Sequence, residues 1–185
     1  MDDKGRALLA LARAAIASRL GLDGAKPETT SYMHEQAASF VTIHKHGALR
    51  GCIGTLEPYR PLAADVEGNA MAAAFEDPRF PPLTRQEFPL IAIELSVLSP
   101  LQVMPVRDEA DALSRLRPGV DGVVLRFGMN RATFLPQVWE QLPDPAQFMA
   151  HLKMKAGLPA TFWDPGIEIC RYQVSKYYEQ EKSRE

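Results

Sequence analysis

The sequence predicts an α+β fold. Its strand-like segments pair as hairpins across glycine turns, and helical segments are set between them without following each strand in turn, which argues against a doubly wound parallel sheet. The chain has 185 residues, close to the roughly 100 to 200 residues of a single domain. It is therefore taken as one domain, 1–185, with a core large enough to need no disulfide or metal staple.

Leu8, Leu9, Leu11, Ala12, Ala15, Ile16 and Leu20 recur at helical spacing, with Arg6, Arg13 and Arg19 interleaved and Gly21 placed to end the run. The segment Gly21 to Ser31 has turn chemistry and no period, so it is a connector. Ser39 to Lys45 alternates and is rich in β-branched and aromatic residues, and Ala48 to Leu56 is its hairpin partner. Pro61 opens a second helix whose face carries Leu62, Val66, Ala70, Ala73 and Ala74 until Asp77-Pro78 stops it. Ile91 to Leu98 is a strand and Asp108 to Arg117 a short helix. Gly122 to Phe127 and Arg131 to Leu135 form a second hairpin through Gly128-Met129-Asn130. Asp144 to Ala156 is the last helix, and a final strand runs around Ile167 to Val174. The order hairpin, helix, strand appears twice and hints at an internal duplication, although no residue-level repeat accompanies it.

Composition narrows the function classes. Hydrophobic residues make up 46% and charged residues 24% of the chain, the range of ordinary globular proteins and far from the signature of disorder. The formal charge of -2 supplies no basic field, so nucleic-acid binding needs a local patch and is the weakest of the functional expectations. No run approaches the ~20 apolar residues of a membrane span. The stretch Ala7 to Ala17 is broken by Arg13 and preceded by Asp2, Asp3 and Arg6, and it is read as part of the fold. Cys52 and Cys170 form neither a CxxC pair nor a zinc spacing, which favours a reducing cytoplasm. No phosphate loop, dinucleotide fingerprint, nucleophile elbow or zinc-protease motif occurs, and no cofactor or metal is expected.

Two strings carry chemistry. In Leu49-Arg50-Gly51-Cys52-Ile53-Gly54, glycines inside a strand mean a bulge or the close approach of another group. A three-residue loop, His46-Gly47-Ala48, sets Lys45 opposite Leu49, His44 opposite Arg50 and Thr42 opposite Cys52, so that His44 and Cys52 share a face. A two-residue loop removes that pairing. A cationic neighbour, Arg50 or protonated His44, favours the thiolate of Cys52. Set against this is the ordinary use of cysteine as a small buried hydrophobe. His34, His44, His46 and His151 lack metal spacing. In the second string, Glu76-Asp77-Pro78-Arg79-Phe80-Pro81-Pro82, a rigid loop either presents Arg79 to an anion or closes an internal ion pair from Asp77 or Glu76 to Arg79. Trp139 and Phe134 are core residues, and Lys153 and Lys155 a solvated face.

Phe40-Val41-Thr42-Ile43-His44-Lys45 leading into Leu49-Arg50-Gly51-Cys52-Ile53-Gly54-Thr55-Leu56 resembles the hallmark of the AMMECR domain family. Asp77 to Thr84, Leu95 to Ser99, Gly119 to Phe127, Ala132 to Trp139 and Lys155-Ala156-Gly157 are similar to later family blocks in the same order. The resemblance implies a single α+β domain with a barrel-like mixed or antiparallel sheet, internally duplicated and flanked by helices. It also implies the company of a Memo-like protein and a radical SAM protein, as in the AmmeMemoRadiSam system, but brings no established catalytic mechanism. It raises Arg50 and Cys52 as functional residues. His44 lies outside the recognised pattern.

The resulting expectation is one cleft between the Arg50-Gly51-Cys52 strand and the Asp77 to Phe80 loop. Cys52 is its nucleophile or redox thiol, Arg50 or Arg79 its anion anchor and His44 a weaker catalytic candidate. Gly51, Gly54, Asp77, Arg79 and Phe80 contact a small or peptide-linked substrate. The alternative is a non-catalytic interaction module in which the same cleft takes a partner and Cys52 packs beneath it.

Overall fold

The computed structural model describes residues 2–179. In chain order the elements are α1 (Asp3–Arg19), β1 (Ala38–Lys45), β2 (Ala48–Gly54), α2 (Leu62–Phe75), β3 (Ile91–Leu98) and β4 (Gln102–Val103). They continue as α3 (Glu109–Arg115), β5 (Gly122–Phe127), β6 (Asn130–Phe134), α4 (Pro145–Lys155), β7 (Glu168–Tyr172) and β8 (Val174–Tyr178). The α+β class holds, with the sheet residues divided between two compact units, 2–98 with 175–179 and Ser99–Val174.

The first unit carries a four-stranded sheet of order β2-β1-β3-β8, with β1 antiparallel to both β2 and β3. Alternation puts Val41, Ile43, Ile53, Ile93 and Leu95 on one face, where they pack with Leu8, Leu11 and Ile16 of α1 and Val66 and Ala70 of α2. Asp2 caps α1 by accepting the Gly5 N–H at 2.8 Å. The alanines of α2 allow its backbone to lie close to the sheet: a Cβ on Gly51 would fall 2.1 Å from the Ala73 carbonyl oxygen.

The second unit carries a sheet of order β4-β7-β5-β6, with β7 antiparallel to β4 and β5, and β5 antiparallel to β6. Val123, Leu125 and Ile169 face Phe148, Met149 and Leu152 of α4. Trp139 stacks on Phe148 with centroids 3.7 Å apart, and its indole N–H donates to the Asp121 carbonyl at 2.7 Å. Asp108 and Asp144 cap α3 and α4 through the N–H groups of Asp111 and Gln147.

Both units repeat one connection plan. A hairpin contributes an edge strand and its neighbour, a helix follows, and the next strand pairs on the inner side of the hairpin, as β2-β1-β3 and β6-β5-β7. The fourth strand in each case comes from the segment leaving the other unit, β8 after β7 and β4 after β3. The expected duplication is therefore present as topology. The barrel-like expectation gives way to two open sheets, because neither row of four strands closes on itself.

Three local expectations change. The strand expected over Ile167 to Val174 is present as β7 but ends before Gln173, which exchanges hydrogen bonds with Ser99, and a further strand not expected, β8, follows in the other sheet. The first hairpin turns on two residues, His46 and Gly47, both at positive φ, so that Lys45 opposes Ala48 and His44 opposes Leu49. A register shift between Ile43 and His44 then restores Thr42 opposite Cys52, with the extra residue Arg50 on β2. Finally, Lys153 is buried and donates to Glu109 at 2.6 Å, so it is not part of a solvated face. Among the described residues no helix is long and apolar enough to cross a membrane.

Candidate functional site

The two chemistry-bearing strings meet at the outer edge of β2. Among the described residues this strand pairs only with β1, so alternate backbone groups of β2 point away from the ladder without a strand partner. Asp77, just past the end of α2, accepts the Cys52 N–H at 2.9 Å through Oδ2. Arg79 wraps back onto the same carboxylate, donating from its backbone N–H and Nε to Oδ1 at 3.0 Å each and from Nη2 to Oδ2 at 2.7 Å. A further Nη2 contact reaches the Cys52 carbonyl at 3.4 Å. An acid and a guanidinium thus cover both backbone groups of one edge residue. The Arg79 guanidinium first, and the Cys52 N–H second, hold the Asp77 carboxyl far below the usual range, and Asp77 in turn raises Arg79.

Arg50 is almost fully buried. Its Nε and Nη2 donate to the two carboxylate oxygens of Glu87 at 3.0 and 3.1 Å, and Nη2 also donates to the Pro81 carbonyl at 2.9 Å. Nη1 is buried with no hydrogen-bond partner. The Phe80 ring lies 5.8 Å from the Arg50 guanidinium and 5.5 Å from that of Arg79, so both cations border one aromatic ring. Lys45 adds a second cation to Glu87 at 2.9 Å, and Arg50 with Lys45 drives the Glu87 carboxyl strongly downward. Glu87 also closes a reciprocal pair with Thr84, accepting its N–H at 3.1 Å while the Glu87 N–H donates to Thr84 Oγ1 at 3.3 Å.

Cys52 lies on the face of the first sheet opposite the helices, together with Thr42, His44 and Glu94. The thiol is half-buried, and Thr42 Oγ1 donates to Sγ at 3.2 Å. His44 Nε2 lies 3.3 Å from Glu94 Oε2, and Lys176 approaches the other carboxylate oxygen at 3.5 Å. The remaining thiol differs: Cys170 is buried in β7, and desolvation raises its pKa.

The two glycines are accounted for by neighbouring protein. Gly51 is pressed by the α2 backbone, and a Cβ on Gly54 would meet the Phe40 ring at 2.1 Å. A groove of about 550 Å³ lined by Ala14, Ser18, Arg19, Lys26, Glu67 and Met71 contains no residue of either string.

Sequence reasoning missed Glu87 and Glu94. The Thr84-x-x-Glu87 spacing was a legible local signal for the first; Glu94 carries none, being one polar position in an alternating strand. Also unforeseen is a buried network beside the β2 end. Asp65 accepts from the Ser39 N–H and hydroxyl at 2.8 and 2.7 Å, the Thr55 hydroxyl at 2.9 Å and Arg60 Nε at 2.8 Å. Asn69 donates to the Ser39 carbonyl at 2.9 Å. With its polar groups satisfied, this network fixes where β2 leaves the sheet.

Comparison with known proteins gives consistent matches along the chain. The AMMECR1 family model matches residues 9–177. A protein of Methanothermobacter thermautotrophicus is 39% identical over 184 residues, covering 96% of this chain and 95% of the relative. Protein MJ0810 of Methanocaldococcus jannaschii is 36% identical over 186 residues, covering 97% and 92%. The crystal structure of the uncharacterized protein PH0010 from Pyrococcus horikoshii superposes with a TM-score of 0.73 at 30% identity, covering 98% of this chain and 94% of that one.

Proposed function

The chain belongs to the AMMECR1 family, and on that premise we propose that it is an intracellular cysteine-dependent protein whose Cys52 acts as a nucleophile on a small or peptide-linked substrate. The observation that carries this reading is the half-buried Cys52 thiol receiving the Thr42 hydroxyl at 3.2 Å, on the same sheet face as the His44–Glu94 pair. The hydroxyl holds the sulfur in one position, and the carboxylate of Glu94 fixes the orientation of the imidazole on the same face. Phe80, with Arg79 beside it, supplies a flat and cationic flank for the substrate. The Memo-like and radical SAM proteins are the proposed partners, on the family resemblance alone, and two free cysteines suit a reducing cytoplasm. The single-domain reading of 1–185 draws on the family match, which runs through both units.

Alkylation of the folded protein tests the proposal, with buried Cys170 as an internal reference. Cys52 is expected to react faster than in the unfolded chain, and Thr42→Val to slow it. A rate no greater than that of the unfolded chain removes the nucleophile.

One observation favours the interaction-module reading: Arg50 and Arg79 each already hold a carboxylate, Glu87 and Asp77, so both guanidinium groups anchor protein to protein. Affinity for the Memo-like protein, measured with wild type and Phe80→Ala, separates the two. Binding lost in the variant, together with a slow Cys52, supports the module.

A further inference from the structure

We propose that the second unit carries an oxyanion site formed by Arg171, Arg115 and Gln102, which takes a small ligand bearing a carboxylate or phosphate. A depression of about 300 Å³ is lined by Gln102, Val103, Met104, Pro105, Arg115 and Arg171. Two guanidinium groups and an amide line it, and no acidic residue does. Gln102 on β4 is the register partner of Arg171 on β7, so their side chains rise from the same face of the sheet. Arg115 is in the last turn of α3, steadied by donation from Nη1 to the Pro105 carbonyl, with Nε 3.9 Å from Asp111. Asp111 itself is engaged by Arg107, accepting its backbone N–H at 3.0 Å.

Arg171 is the unusual member. Arg13, Arg50, Arg60, Arg79, Arg117 and Arg126 each have a carboxylate oxygen within 3.0 Å. Arg171, by contrast, has no carboxylate, carbonyl or ring partner among the described residues, although the chain carries more acidic than basic groups. A guanidinium fork held on a strand, with a second guanidinium and an amide lining the same depression, suits the bidentate geometry of a carboxylate or phosphate. Met104 and Pro105 add apolar atoms to a lining that is otherwise polar, and the volume lies at the lower end of ligand pockets, which limits the occupant to a small molecule or a terminal group.

The test is an amide-resolved NMR titration of the full chain with inorganic phosphate, methyl phosphate and isovalerate at constant ionic strength. Saturable shifts are expected at residues 102–104 and 171, and the tighter of the phosphate and carboxylate arms identifies the ligand class. Arg171→Ala should weaken binding by roughly tenfold or more, since a charge-assisted pair is lost. Arg171→Lys, which keeps the charge and loses the fork, should weaken it several-fold and serves if the alanine variant does not fold. Arg6→Ala removes one positive charge in the first unit and should bind as wild type. Shifts that do not saturate, Arg171 variants that bind as wild type, or an equal loss in Arg6→Ala would each overturn the site.

Discussion

Asp77 accepts the backbone N–H of Cys52 at 2.9 Å, and Arg79, seated on the same carboxylate, reaches the Cys52 carbonyl at 3.4 Å. Together they do for one residue what an adjacent strand would do, on an edge that otherwise offers unpaired N–H and C=O groups to any extended chain. The loop 77–80 therefore protects the sheet and fixes the backbone that carries the thiol. It also ties the strand to the end of α2, because Asp77 follows the helix by two residues.

Asp77→Asn leaves one oxygen where two now serve Cys52 and Arg79. The Cys52 amide should then exchange with solvent about tenfold faster in native-state hydrogen exchange, while amides on β1 keep their protection. Unchanged exchange at Cys52 would mean that the loop does not close the edge.

Glu87→Gln leaves Arg50 buried without its counter-charge. Breaking a buried pair from one side costs about 3 kcal/mol or more, measurable by urea unfolding. Lys45 meets the same carboxylate from a more exposed position, so Lys45→Ala should cost only about 0.5 kcal/mol. If an apolar pair, Arg50→Met with Glu87→Leu, unfolds near the wild-type midpoint, the ion pair serves position more than stability.

The helices and both hairpins were legible because periodicity and turn residues are local. Val41 and Ile43, or Leu8, Leu11 and Ile16, announce their faces without knowledge of any partner. The register of the first hairpin was not legible: a three-residue loop without a bulge and a two-residue loop with one extra residue at Arg50 both put Thr42 opposite Cys52. Composition also hid the break at Gln173, since β7 and β8 form one continuous strand-like string and only their partners show that they belong to different sheets. In the candidate site, the encounter of the 50–52 strand with the 77–80 loop was anticipated. The partner of Arg50 was not, because Glu87 is 37 positions away and pairing across that distance leaves no pattern in the sequence. Asp65 and Asn69 are hidden for a similar reason: on α2 they flank the apolar face and look like solvent positions until β1 supplies Ser39.

Gly51 and Gly54 should respond differently to alanine. At Gly51 the new methyl group meets the carbonyl of Ala73, part of a helix backbone that cannot yield without moving α2, and about 2 to 3 kcal/mol of destabilisation is expected. At Gly54 the obstacle is the Phe40 side chain, which has other rotamers. Gly54→Ala should therefore be partly rescued by Phe40→Leu, whereas no side-chain change rescues Gly51→Ala. Equal rescue at both positions, read from thermal midpoints, would contradict the close approach of α2.

Acid should weaken the same two anchors. Asp77 and Glu87 both have carboxyl pKa values depressed in the fold by their arginine partners. A depressed acid contributes stability that is complete above its unfolded pKa, about 3.9 for Asp and 4.3 for Glu, and is lost as pH falls toward the lower folded value. Stability should therefore be level in this respect from neutral pH to about pH 5 and decline below it. Glu87→Gln removes one of the titrating groups, so it should be less stable than wild type at pH 7 but lose less on acidification. The gap between the two urea midpoints is predicted to narrow steadily from pH 5 to pH 3. A constant gap over that interval would show that the Glu87 carboxylate gains nothing from Arg50 in the folded state, against the paired 3.0 and 3.1 Å contacts that define the site.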